Sequence, residues 1–282
     1  MRKLLVILIA HLSLTALGHP GIGIVMDTKG NVFYTDLTHI WKIDRQGKKT
    51  IAVSNVHSHE ICIDSLDNLY GEHLWYNGEA KDTWSHYVWK LTANGKIEKI
   101  IPDTEGFLSN YSFVRDHAGH MFWMDRDNKD CQKVIRKNPG GTIRRISDQC
   151  HSDIQWITST TNGTVYLVDQ HDLKKVDPLG HVITLTNNLT DSNHLFTNEE
   201  DHYLSGISTD KTENIYVADC TARRVMKVTQ QGKVSVALKT NTPWAPSGIF
   251  VAPNDDLWIL EYSITNTVRV ERITKEGQRI IF

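Results

Sequence analysis

Cysteine is scarce in this chain. Only Cys62, Cys131, Cys150 and Cys220 occur, and no two form a Cys-x-x-Cys pair, which argues against a thiolate zinc site. No Gly-x-Ser-x-Gly elbow, phosphate-cradling glycine loop or His-Glu-x-x-His stretch is present. These absences count against an α/β-hydrolase, a nucleotide enzyme and a typical zinc protease. Charge of one sign is also lacking. The formal net charge is −2, acids and bases are interspersed, and no basic stripe offers itself to nucleic acid. Beyond the first residues there is no apolar run long enough to cross a bilayer, so no membrane span is expected.

The one long apolar run is N-terminal. Met1-Arg2-Lys3 precedes Leu4 to Ala16, and Ala16-Leu17-Gly18 supplies small residues at a cleavage site. Residues 1–18 therefore read as a signal peptide, and 19–282 as one secreted or periplasmic domain. In an oxidising compartment Cys131 and Cys150 can bond. They flank the hairpin turn Asn138-Pro139-Gly140-Gly141 almost symmetrically, and the spacing predicts a disulfide. Cys62 reads as an apolar filler of an inner strand.

What the chain does have is a repeat. Six times a glycine follows a basic residue by five: Lys42/Gly47, Lys90/Gly95, Arg136/Gly141, Lys175/Gly180, Lys227/Gly232 and Arg272/Gly277. Each pair lies in a unit with a short apolar strand, a polar turn, and a second strand rich in β-branched and aromatic residues, such as Val32-Phe33-Tyr34 or Ile215-Tyr216-Val217. The units run over 20–53, 57–101, 110–147, 151–186, 203–239 and 244–282. Units of this length with four strands each predict an all-β fold, a six-bladed β-propeller of four-stranded antiparallel blades.

Asn214-Ile215-Tyr216-Val217-Ala218-Asp219 followed by Arg224-Val225-Met226-Lys227-Val228 resembles the NHL-repeat family of six-bladed propellers. More loosely, the chain resembles gluconolactonase and virginiamycin-lyase propellers. The resemblance spans nearly the whole mature chain. It implies the fold, and it leaves open an enzyme, a glycan binder or a protein-interaction scaffold. A gluconolactonase-type calcium or magnesium site needs a glutamate, two asparagines and an aspartate. Glu60 and Asp153 sit suitably, Asn110 is offset, and the Asn-Asp-Gly motif is missing.

In such blades, the approach to strand one and the exit from strand two meet at one axial mouth. The exits carry Asp36, Glu72, Asp125, Asp169, Asp219 and Glu261, and an acid in every blade is expected to cap backbone N–H groups. The approaches are less uniform. His57-Ser58-His59-Glu60 and His151-Ser152-Asp153 break the repeat, and His57 and His59 alternate onto one side of an extended strand. His57, His59, His151 and Asp153 are the candidate ligands of a divalent metal, zinc rather than calcium. Glu60, Glu72, Arg126 and Tyr203 are the candidate catalytic groups, the last two orienting an anionic group. The insertion of blade two supplies Trp75, Tyr76 and Trp84, which with Trp244 are candidates to stack on a small-molecule or glycan ligand. The competing reading folds the blade-two aromatics inward as a local core. Two functions follow: a metal-assisted hydrolase or lyase acting on a sugar, lactone or similar small polar substrate, or a non-catalytic propeller holding a glycan or protein.

Overall fold

A computed structural model describes residues 20–125, 130–187, 189 and 204–282. The signal-peptide reading lies outside these residues, as do Arg126 and Tyr203. The described residues form strands and turns with no helix. Each sheet is built from strands consecutive in sequence, in the order one-two-three-four, and all pairings are antiparallel. Five sheets have four strands. In the third blade the innermost position is held by residues around Val114, which bond Phe122 N–H to Val114 O and pair Arg115 with Met121.

The repeat is explained by two local interactions. The basic residue of each pair lies on strand three, opposite an aromatic residue of strand two. Lys42 Nζ stands 5.9 Å from the Phe33 ring, Lys90 5.7 Å from Tyr70, Lys175 5.6 Å from Tyr166 and Lys227 5.0 Å from Tyr216; the Arg272 guanidinium is 5.5 Å from Trp258. Cation–π attraction and burial of the aliphatic stem hold the two strands in register. The glycine closes the turn into strand four with positive φ, from 77° to 93° across the six blades, a region that glycine alone enters without steric cost.

The core is divided by the gaps between blades. Six buried apolar clusters occupy the six gaps, each with residues of two adjacent blades. The ring closes without strand exchange. Ile24, Val32, Tyr34 and Ile43 of blade one pack with Trp258, Leu260 and Val270 of blade six. Phe282 stacks on Trp258 at 5.5 Å and lies over Gly47 of blade one.

At the axis, glycine sets how close the blades come. A side chain on Gly248 would overlap the carbonyl of Ile22 across the closing gap, and one on Gly206 would lie 2.5 Å from Ser247 O. Because these obstacles are backbone, they yield little. Gly248→Ala is expected to cost about 1–3 kcal/mol, the usual range for overpacking. Gly140→Ala, where a new Cβ meets nothing within 4 Å, is expected to leave stability unchanged. Thermal unfolding of both variants checks this, and equal melting temperatures would refute the axial constraint.

Candidate functional site

The register of strands one and two aligns the blades residue by residue. Strand two places Phe33, Tyr70, Phe122, Tyr166, Tyr216 and Trp258 at one equivalent position. Through the pairing of strands one and two, the innermost equivalent residues are Gly23, Glu60, Ser112, Trp156, Gly206 and Gly248. Blades five, six and one carry glycine and pack tightly. Blades two, three and four carry Glu60, Ser112 and Trp156, and here the ring opens. A cleft of about 530 Å³ runs along blade three, lined by Glu60, Glu72, Asp125, Tyr111, Trp123 and Trp156 among others. No lysine, arginine or histidine lines it among the described residues. It adjoins an axial channel of about 320 Å³, and Glu60 and Trp156 line both. Carboxylates that accept hydrogen bonds, beside indole faces that stack, suit a ring bearing hydroxyl groups.

The acids leaving strand two mostly serve structure. Asp36 accepts the N–H groups of Thr38 and His39 and the Trp41 indole N–H at 2.7 Å. Asp169 accepts the N–H groups of Ser152 and Asp153 and pairs with Lys174 at 2.6 Å. Burial alone would raise Asp169, but its bonds from His151, Asp153 and Lys174 outweigh this and hold the carboxyl below the usual carboxylate range. Asp219 accepts Ala222 N–H and pairs with Arg224 at 2.9 Å; Glu261 pairs with Arg269 at 2.6 Å.

Blade two departs from this rule. The register shows that the residue equivalent to Asp36, Asp169 and Asp219 is His73, and that Glu72 stands one position earlier. The grouping of Glu72 with the other exit acids is therefore corrected. One position along a strand reverses the side chain, so Glu72 faces the other way from those acids. Its cross-strand neighbour is Val88, an apolar residue that offers no cation. Glu72 instead meets His59 Nδ1 at 3.6 Å and lines the cleft.

The four residues read as a metal set are not brought together. His57 and His59 are neighbours with ring centroids 4.8 Å apart, and the His73 ring accepts the His57 N–H at 2.9 Å. His151, by contrast, is buried, its Nδ1 held 3.2 Å from Asp169, while Asp153 next to it is exposed. Burial on one side and exposure on the other separate the pair. Among the described residues, no three His, Cys, Asp or Glu side chains are grouped to hold an ion.

None of the aromatics picked from the sequence lines the cleft or the channel. Trp75, half-buried, stacks on His73 at 5.4 Å and approaches Tyr87 at 6.0 Å. Tyr76 and Trp84 pair across the tip of the blade-two hairpin, and Trp84 continues to Phe107 at 6.0 Å, all three exposed. Trp244 is covered by the Arg269 guanidinium at 4.2 Å. The lining aromatics Trp123, Trp156 and Tyr111 escaped selection. The sequence signal for Trp156 was the large residue where other blades carry glycine. Cys131 and Cys150 are joined by a disulfide beside the Gln132–His151 bridge, and Cys62 and Cys220 are buried free thiols.

No family model matches the chain, and no curated protein is significantly similar to it. Its fold is that of known six-bladed propellers. A luciferin-regenerating enzyme is 15% identical with a TM-score of 0.58, covering 93% of this chain and 94% of that one. Virginiamycin B lyase from Staphylococcus aureus is 16% identical with a TM-score of 0.56, covering 93% and 84%. The calcium-binding protein regucalcin from Agrobacterium tumefaciens is 14% identical with a TM-score of 0.54, covering 86% and 81%. No helix among the described residues is long and apolar enough to cross a membrane.

The imidazole cluster has a measurable consequence. Burial, and then the neighbouring His59, lower the His57 pKa below 6.5; burial, and then Lys99, lower that of His73. Below pH 6.5 the unfolded chain then binds more protons at these sites than the folded one. Their contribution to stability is full above about pH 6.5 and declines as pH falls below it. Glu72 raises the His57 pKa, so Glu72→Gln is expected to depress it further. An NMR titration of the histidine ring protons checks both statements, and an upward move of His57 in that variant would refute the assignment.

Proposed function

We propose that the chain is an exported NHL-type propeller that acts, as a hydrolase or lyase, on a sugar, lactone or similar small polar molecule in the cleft of blades two to four. The observation that carries this reading is Glu72. It lines an aromatic cleft beside Glu60, and no strand-three cation neutralises it as one does the exit acids of blades four, five and six. In this reading Glu72 is the general base. His59 Nδ1, 3.6 Å from the carboxylate, places an imidazole beside the accepted proton. Glu60, on the same cleft, returns a proton to the leaving oxygen, and Trp123 and Trp156 hold the ring. The disulfide supports export, since such bonds persist in oxidising compartments. Zinc, the metal favoured by the histidine pattern, does not find a ligand group in the described side chains, and no step is assigned to it.

A second reading rests on the exposed row Tyr76, Trp84 and Phe107, whose faces suit a glycan or a partner protein held without chemistry. One set of variants separates the two. The purified protein is screened for turnover of sugar lactones and unsaturated glycosides, with its metal content measured. Glu72→Gln is expected to reduce turnover about 10²–10⁴-fold, the usual worth of a general base. Trp84→Ala is expected to leave turnover intact. If Glu72→Gln has no effect while Trp84→Ala abolishes glycan binding, the second reading replaces the first.

A further inference from the structure

We infer that the cleft along blade three takes a ligand bearing a protonated amine, in the proposed reading an amino sugar. Its ammonium is held between Glu60 and Glu72 on one wall and the Trp123 ring on the other. This rests on the proposed reading for where the ligand sits, and not for what happens to it.

The two walls follow from strand register. Cys62 pairs with Tyr70, and both pack with Phe113 in the gap between blades two and three. Glu60 and Glu72 lie two residues from them along the same two strands, and residues two apart on a strand share a face. Both carboxyl groups therefore leave blade two toward blade three. On the facing blade, Phe122 N–H bonds Val114 O and Arg115 pairs with Met121, which sets Trp123 opposite Phe113. Trp123 thus faces blade two across the same gap. Tyr111, two residues before Phe113, meets its ring at 5.5 Å on that side. Glu60, Glu72, Trp123 and Tyr111 all line the one cleft of about 530 Å³.

Trp123 is the indole that the fold leaves unanswered. Trp41 and Trp89 donate their ring N–H, to the Asp36 carboxylate and to Glu72 O. Trp75 and Trp84 meet aromatic rings, and Trp244 and Trp258 lie under arginines. Trp156 packs on the apolar cluster between blades four and five. Among the described residues, Trp123 has no aromatic ring, cation or hydrogen-bond acceptor against it, and it is only half-buried.

Charge selects the ligand. The charged residues lining the cleft are Glu60, Glu72 and Asp125, all acids. Glu60 and Glu72 continue the Ile61–Gly71 pair, so they stand opposite each other, and like charges so placed repel. Arg115 lines the adjoining channel, and its guanidinium is taken up between the rings of Tyr70 at 4.8 Å and Tyr111 at 5.4 Å. His59, 3.6 Å from Glu72, carries charge only when protonated. An ammonium has three N–H donors and no acceptor, which carboxylate oxygens answer. The face of an indole attracts the same charge. A neutral sugar would stack without relieving the repulsion, and an anion would add to it.

The test uses the full mature protein with glucosamine, glucose and glucuronate, at constant ionic strength and a pH where the amine is protonated. Titration calorimetry reads affinity. Glucosamine is expected to bind about tenfold or more tighter than glucose, the worth of a charged hydrogen bond. Glucuronate is expected to bind weakest, and the advantage of glucosamine is expected to vanish as pH rises through the titration of its amine. Glu72→Gln is expected to narrow the gap between glucosamine and glucose about tenfold. Trp123→Leu is expected to weaken glucosamine about three- to tenfold, with Trp123→Phe retaining part of the affinity. The wild-type comparison needs no substitution and covers the case of a misfolded variant. Equal affinity for glucosamine and glucose in the wild type, or tighter binding of glucuronate, would overturn the inference. Turnover is read separately. Preferential glucosamine binding without turnover of any lactone or glycoside upholds the ammonium site and rejects the enzyme. Turnover of neutral sugars with no preference for glucosamine rejects the ammonium site alone.

Discussion

The close approach of six inner strands around one axis is the constraint on which this molecule depends. Each blade completes its own four-strand layer, so no shared strand ties the last blade to the first. The ring holds because apolar residues fill every gap between blades, the closing gap included. Packing of this kind is strong only at short range. At the axis the distance is set by what stands at the innermost position of each blade. Glycine there lets backbone meet backbone at Gly206 and Gly248. A glutamate, a serine and a tryptophan at the equivalent positions of blades two to four leave a cleft between them, which adjoins an axial channel lined by all six blades. The same choice of residue thus tightens one half of the ring and opens the other.

Charge follows a similar division. In blades four, five and six the acid that leaves strand two is answered by a lysine or arginine on strand three. In blade one the answer is an indole N–H. Each such acid is used up in holding a hairpin and the loop above it. Buried carboxylates need this treatment, because an unanswered one would be protonated or would open the loop. Blade two moves its acid by one position and puts Val88 opposite. The Glu72 carboxylate then meets an imidazole, that of His59 at 3.6 Å. An acid held this way retains capacity to accept another hydrogen bond, whereas both oxygens of Asp36, Asp169 and Asp219 are already engaged.

The scaffold was legible in the sequence because its signals repeat. A basic residue that recurs opposite an aromatic, and a glycine five residues later, are local features with a fixed geometric meaning, a cation over a ring and a turn of positive φ. Six copies let coincidence be discounted. The cleft was less legible, for the same reason in reverse. Its residues are departures from the repeat, and a departure is seen only if the alignment is right to the residue. Blade two has an acid one position early, and reading Glu72 as one of six equivalent acids hid the feature that distinguishes it. His151 and Asp153 looked alike as approach residues, yet one turns inward to Asp169 and the other outward. Residues two apart on a regular strand share a face, but at an irregular strand entry, as between Ile154 and Trp156, that alternation no longer holds.

Aromatic density misled for a related physical reason. The blade-two insertion lengthens three paired strands, Leu69–Tyr76, Trp84–Leu91 and Ile97–Glu105, and His73, Trp75 and Tyr87 pack on one another along them. Rings that line the cleft are dispersed through the chain, at Tyr111, Trp123 and Trp156, and only closure of the ring gathers them. Local clustering in sequence therefore marks self-support. Functional clustering in a propeller arises across blades, where each contributes one residue at one level. The useful comparison is thus down a column of equivalent positions, and the informative residue is the one that replaces glycine there.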